Sequence, residues 1–147
     1  LCKFYPNIVY GSDETIEFYI QGSGGGSTTS RKKYQGYLDK YKCEVEKVEY
    51  KPVILSKFIK DNFDKYDYII LKLDVEGAEY SILQNIVDEK VLSYINEIYI
   101  EWHTGKKTDY EDCSTFIKKF NTLCEKMNIT IDPFWDAQQK IYSPTLK

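Results

Sequence analysis

The 147-residue sequence predicts an α/β fold with a doubly wound, mostly parallel sheet. Three observations lead there. From Lys57 onward the pattern alternates helix, strand, helix, strand, helix, strand. The run Asp67 to Leu73 is apolar on both faces apart from Lys72, as in a strand covered on two sides. Ala78, Ile82, Leu83 and Ile86 then follow at helical spacing.

In chain order, Phe4 to Tyr10 reads as a strand interrupted at Pro6 and ended by Gly11-Ser12-Asp13. Thr15 to Ile20 alternates Ile16, Phe18, Ile20 against Thr15, Glu17, Tyr19, which predicts a half-buried strand. Residues 21–33 form a Gly/Ser/Thr-rich segment, expected as a mobile loop that closes on substrate or serves as a linker. Val45 to Val53 alternates again, with Pro52 marking a strand end or edge. Ser56 is placed to cap a helix with Leu55, Phe58, Ile59 and Phe63 on its apolar face. Ile95 to His103 is the second strong strand, with Ile98, Ile100 and Trp102 on one face. Thr108-x-x-Glu111 has the form of a capping box ahead of the stripe Cys113, Phe116, Ile117, Phe120, Cys124 and Met127. Ile129 to Ile131 and Gln139 to Tyr142 are weaker strand signals.

Composition excludes several classes. With 42% hydrophobic residues, 16% aromatics and a net charge of −3, the chain suits one folded domain and not a disordered one. Only Arg31 among the basic residues offers a guanidinium, and Lys32-Lys33 and Lys106-Lys107 are short pairs. The electrostatic footprint of nucleic-acid binding is missing. No apolar run approaches the roughly 20 residues of a membrane span. Leu1 to Pro6 has no signal-peptide pattern. Cys2, Cys43, Cys113 and Cys124 lack metal-ligand or redox spacing, so reduced thiols and a cytoplasmic location are expected. The oligomeric state is not legible.

In open α/β sheets, ligands bind outside the carboxyl ends of the strands. Asp74, Glu76 and Glu79 follow one strong strand, and Glu101 and His103 close the other. If those strands are neighbours, several carboxylates and the one His of the chain converge on one edge. Gly77 would let the backbone turn sharply from strand to helix. Acidic groups at a helix start also complement its dipole, for about 0.3–1 kcal/mol each. The residues alone thus leave two readings open, a ligand site and a well-capped turn. Paired carboxylates can hold a divalent metal, but nothing in the spacing demands one, and none is expected. Asp74-x-Glu76 also suits glycoside hydrolysis, but a (β/α)₈ barrel takes about 250 residues. Gly22, Gly24, Gly25 and Gly26 do not make GxGxxG, because Ser27 stands where the last glycine belongs. Tyr80, Trp102 and Trp135 read as core.

Asp74-Val75-Glu76-Gly77-Ala78-Glu79, preceded by apolar-Lys-apolar, resembles the D-V-E-G-A-E signature of the FkbM family of S-adenosylmethionine-dependent methyltransferases. Flanking segments are similar too. They are Ile8 to Ile20 with Ser12-Asp13 and Glu17-Phe18-Tyr19, the loop Gly24 to Thr29, Leu55 to Ile59 (with Ser56 where the family has Asp), and Ile98 to His103.

The resemblance implies a Rossmann-like sheet of the class I methyltransferase type, seen from its third strand onward. Residues 1–147 would then be the C-terminal portion of one domain, without the first strands and their Gly-rich cofactor turn. It implies S-adenosyl-L-methionine as cofactor and O-methylation of a small-molecule or glycan acceptor. Asp74 would face the cofactor's cationic groups, and Gly11 and Ser12 its adenine. His103 is then the candidate base, oriented by Glu101, with Glu76 and Glu79 toward the acceptor; a structural His is the alternative. A methyltransferase-like binding or scaffold domain is the non-enzymatic alternative.

Overall fold

Three separate β-ladders carry the fold in the computed structural model, which describes residues 2–21, 26–41 and 45–132. The elements are β1 (Val9–Tyr10), β2 (Ile16–Gln21), α1 (Arg31–Tyr41), β3 (Val45–Tyr50), β4 (Val53–Ile54), α2 (Leu55–Asn62), β5 (Ile69–Leu73), α3 (Glu79–Asp88), β6 (Ile95–Ile100), α4 (Cys113–Lys126) and β7 (Thr130–Asp132). β5, β6 and β7 form a parallel sheet with β6 central. β1 pairs in parallel with β4, and β2 is antiparallel to β3. The class is mixed α/β with parallel strands, as expected, but the described ladders do not join into one doubly wound sheet.

The core lies on one face of the three-stranded sheet. Leu71 and Leu73 pair with Ile98 and Ile100, so these four side chains share a face. Ile82, Leu83 and Ile86 of α3 have no exposed surface, and neither do Ile98 and Ile100. α4 adds Cys113, Phe116, Phe120 and Cys124 to the same cluster. Burial pushes the Cys124 thiol up to about 12, which makes it an inert packing group. The opposite face of β5 is open: Ile70 is 56% exposed and Lys72 is exposed. The expectation of a strand covered on both sides is therefore corrected, because no described helix lies over that face.

Four local expectations also change. Residues 21–33 are not one loop: Gln21 ends β2, Thr28 bridges to Tyr19, and Arg31 opens α1. In β2 the buried side chain is Tyr19, stacked on Tyr34 of α1 at 4.3 Å, whereas Ile20 is exposed. The aromatic partner on α1 decides which face is covered. Ser56 does not cap α2. It sits inside the helix and bonds Asn85 of α3. Asp112, not Thr108, caps α4 by accepting from the Thr115 N–H at 3.3 Å. Pro52 ends β3 as predicted, and the predicted β7 forms, while the Gln139 to Tyr142 strand and Trp135 lie outside the described residues.

Among the described residues no helix is long and apolar enough to cross a membrane. Replacing Ile82 by Ala should lower the unfolding free energy by about 2–5 kcal/mol through loss of burial and cavity formation. Ile70→Thr should change it by less than about 0.5 kcal/mol, because that face is already wet. Urea denaturation of the two variants checks the one-sided core.

Candidate active site

The site is built on the turn between β5 and α3. Asp74 leaves the end of β5 exposed to solvent. Glu76 (φ 53°) and Gly77 (φ 108°) then both adopt left-handed backbone, which reverses the chain within two residues. Gly77 has a second reason to lack a side chain: a Cβ there would lie 2.6 Å from the Lys107 carbonyl oxygen.

Glu79 opens α3 and has no exposed surface. Its Oε1 accepts from the backbone N–H groups of Gly77 (3.2 Å) and Val75 (3.4 Å), so the side chain folds back into the turn that precedes it. The same oxygen lies 2.8 Å from His103 Nδ1. His103 follows β6 and is 3% exposed. Its carbonyl accepts from the Tyr80 hydroxyl at 2.9 Å. Burial pushes the Tyr80 phenol up, so this hydroxyl keeps its proton and remains a donor. His103 Nε2 lies 3.0 Å from Glu76 Oε2 and 3.8 Å from Glu101 Oε1. With Nδ1–H donating to the Glu79 carboxylate, Nε2 is the ring nitrogen left to exchange a proton.

Two distant segments clamp the turn. Thr28 Oγ1 donates to the Glu76 carbonyl, and Thr108 Oγ1 donates to the Gly77 carbonyl at 3.0 Å. Asp109 accepts from the Arg31 and Lys32 N–H groups at 2.8 and 3.0 Å, holding the first turn of α1 against the site. That first turn delivers Lys33, 9% exposed, whose ammonium pairs with Glu76 Oε2. Burial, then the charge of Lys107, pushes the Lys33 ammonium down to about 8, against the pull of Glu79, Glu101 and Asp74. Asp74, Glu76 and His103 have donor atoms within 4.8 Å of one another, a span that one cation can bridge. The chain itself brings a cation beside them, the ammonium of Lys33.

A cavity of about 240 Å³ opens beside Gly77. Ser30, Ser81, Thr108 and Asp109 line it, together with Tyr10, Tyr80 and Tyr110.

The family model of the methyltransferase FkbM domain matches residues 3–133. The chain belongs to the FkbM methyltransferase family. No curated protein and no solved structure matches it. In this FkbM domain the strand ends expected to converge do so, since β5 and β6 are adjacent and bring Asp74, Glu76, Glu79, Glu101 and His103 together. Roles within the cluster differ from expectation. Glu79, expected to face an acceptor, is fully buried behind His103. Glu101, expected to orient His103, is the more distant partner. The physical reason is the turn, whose backbone donors draw the Glu79 carboxylate inward. Gly11 lies against α3, where a Cβ would come within 2.1 Å of the Ser81 carbonyl oxygen, and Ser12 beside it is half-buried.

Lys33, Thr28 and Thr108 were not legible as site residues. The readable signal for Lys33 was Ser30, whose hydroxyl accepts from the Lys33 N–H as an N-cap does, but the surrounding Gly/Ser/Thr run masked it.

Gly77→Ala should cost about 1–3 kcal/mol in urea denaturation, because the left-handed turn and the Lys107 contact both reject a Cβ. Lys33 gives a pH signature. Between pH 8 and its ordinary 10.5 the unfolded chain binds the Lys33 proton and the folded one does not, so stability gains from this group as pH rises. Lys33→Met should remove that rise when unfolding free energies are compared at both ends of the window.

Proposed function

We propose that this domain transfers the methyl group of S-adenosyl-L-methionine to a hydroxyl of a small molecule or glycan, with His103 as the base. One observation carries the reading: in a member of the FkbM methyltransferase family, the only His sits at the strand-end cluster with Nδ1 held by a buried carboxylate and Nε2 turned toward a half-buried one. A carboxylate on Nδ1 fixes the tautomer and supports the ring when Nε2 takes a proton, the logic of His-carboxylate pairs in general.

The exposed Asp74 carboxylate, at the head of an acidic cluster, suits a ligand that carries an ammonium and a sulfonium. When bound, that cofactor supplies a methyl carbon activated by its positive sulfur. His103 Nε2 would take the proton of the acceptor hydroxyl as that oxygen is methylated. Most of the remaining requirement is in-line positioning of the acceptor. The cavity beside Gly77, lined by the polar residues Ser30, Ser81, Thr108 and Asp109, supports a hydroxylated acceptor. Its volume is below that of drug-sized ligand pockets, so it fits one ring or substituent of that acceptor. Glu76, half-buried at Nε2, is the acidic group that such an acceptor would meet, and Gly11 and Ser12 remain the candidates beside the adenine.

The deep burial of His103 favours a second reading, a domain that binds the cofactor or a partner without catalysis. Calorimetry and a transfer assay separate the two. The full-length protein should bind S-adenosylmethionine, and Asp74→Ala should weaken that binding roughly ten- to a hundredfold, the range of one lost charge-assisted bond. His103→Asn should keep binding and lower transfer of labelled methyl to a panel of sugars and hydroxylated small molecules by about 10²–10⁴-fold. No binding at millimolar ligand overturns the cofactor assignment; full transfer by His103→Asn overturns the base.

A further inference from the structure

Carboxylates surround His103. Glu79 comes from α3, Glu76 and Asp74 from the turn after β5, and Glu101 from the segment after β6. Carboxylate oxygens face both ring nitrogens of His103, and a ring that donates to both is an imidazolium, which has no free nitrogen with which to take a proton. A base at this place needs a counterweight. Cations beside the nest include Lys33 of α1 and Lys107, in the turn Gly105–Lys107, whose charge acts on Lys33.

We propose that Lys33 is the positioning residue of this site: its ammonium holds the Glu76 carboxylate and offsets the acidic nest, so that His103 can release its proton and act as the base. The inference rests on the reading of His103 as base. Geometry supports it in two ways. Lys33 and His103 Nε2 share one oxygen, Glu76 Oε2, so the charge on the lysine acts directly on the partner of the reacting nitrogen. The lysine is also held in place. It is buried, its own N–H bonds the Ser30 hydroxyl, and Asp109 clasps the two residues before it. With its ammonium held down to about 8, the group is charged at neutral pH yet close to the range in which it can be switched off.

The test follows the imidazole itself. With [15N]histidine in the full-length protein, two-bond 1H–15N spectra report the proton count of His103, whose signal is the one that disappears in His103→Asn. Lys33→Met should move the pH at which the ring loses its second proton upward by about one unit or more, the effect of removing one nearby opposite charge from the carboxylates. Lys33→Gln removes the charge but keeps a hydrogen-bond donor for Glu76, so it serves if the Met variant does not fold, and it should shift in the same direction. Lys33→Arg should titrate with the wild type, and Glu101→Gln should move downward. A folded, neutral Lys33 variant that titrates with the wild type overturns the proposal, as does a Glu101→Gln variant that does not move. This readout is independent of methyl transfer. The upward shift in a protein inactive toward every acceptor would keep the charge balance and remove the catalytic reading; transfer without the shift would do the reverse.

Discussion

A carboxylate taken wholly out of water is costly unless donors surround it. Glu79 meets that condition with one oxygen. Two backbone N–H groups of the turn and the imidazole of His103 converge on Oε1. The other oxygen, Oε2, is buried without a hydrogen-bond partner among the described residues, which raises the demand on the bonds that remain. The shape of the turn follows. To aim the Val75 and Gly77 N–H groups at a side chain two to four residues ahead, the backbone passes through left-handed conformations at Glu76 and Gly77. His103 is then fixed from both sides, by Glu79 at its ring and by Tyr80 at its carbonyl. One buried charge thus sets the turn, the start of α3 and the orientation of the strand-end His.

The peptide groups of that turn would be left unsatisfied without the segments around it. Thr28 and Thr108 supply hydroxyl donors to the carbonyls of Glu76 and Gly77, and neither threonine is more than 1% exposed. Small polar side chains suit this role because they satisfy a buried carbonyl without adding charge. α1 brings in the charge of Lys33, which meets the carboxylate of the turn that also touches His103 Nε2. The chemistry of the site therefore depends on a helix that contributes little to the main core and much to its electrostatics.

How far the sequence was legible follows the same division. β5, α3, β6 and α4 were readable because their apolar residues recur at strand or helix period, and burial enforces that period. The strand-end cluster was readable because two strong parallel strands leave little choice about where their carboxyl ends point. What failed had local chemistry with more than one outlet. Thr108 looked like a helix cap but satisfies a carbonyl 31 residues away. Ser56 looked like a cap but bonds Asn85 from inside α2. Lys33 sat in a polar run whose helix is stabilised from Asp109, far along the chain, and no local pattern encodes that contact. Glu101 is expected to orient His103 and Glu79 to face an acceptor. Only the path of the turn separates the buried one from the half-buried one.

The Asp109 clasp on α1 also bears on the order in which the molecule assembles. It joins residues 78 positions apart, from Asp109 to Arg31, whereas the turn, α3 and β6 lie within some thirty residues of one another. Contacts that close short loops form early, and those that close long ones follow, because the entropy of closure rises with the length enclosed. The Glu79–His103 half of the site belongs to the early group and the Lys33 half to the late one. During synthesis, the segment that carries Lys33 emerges well before the aspartate that will hold it. Asp109, which holds the first turn of α1, is made after every residue of the acidic nest.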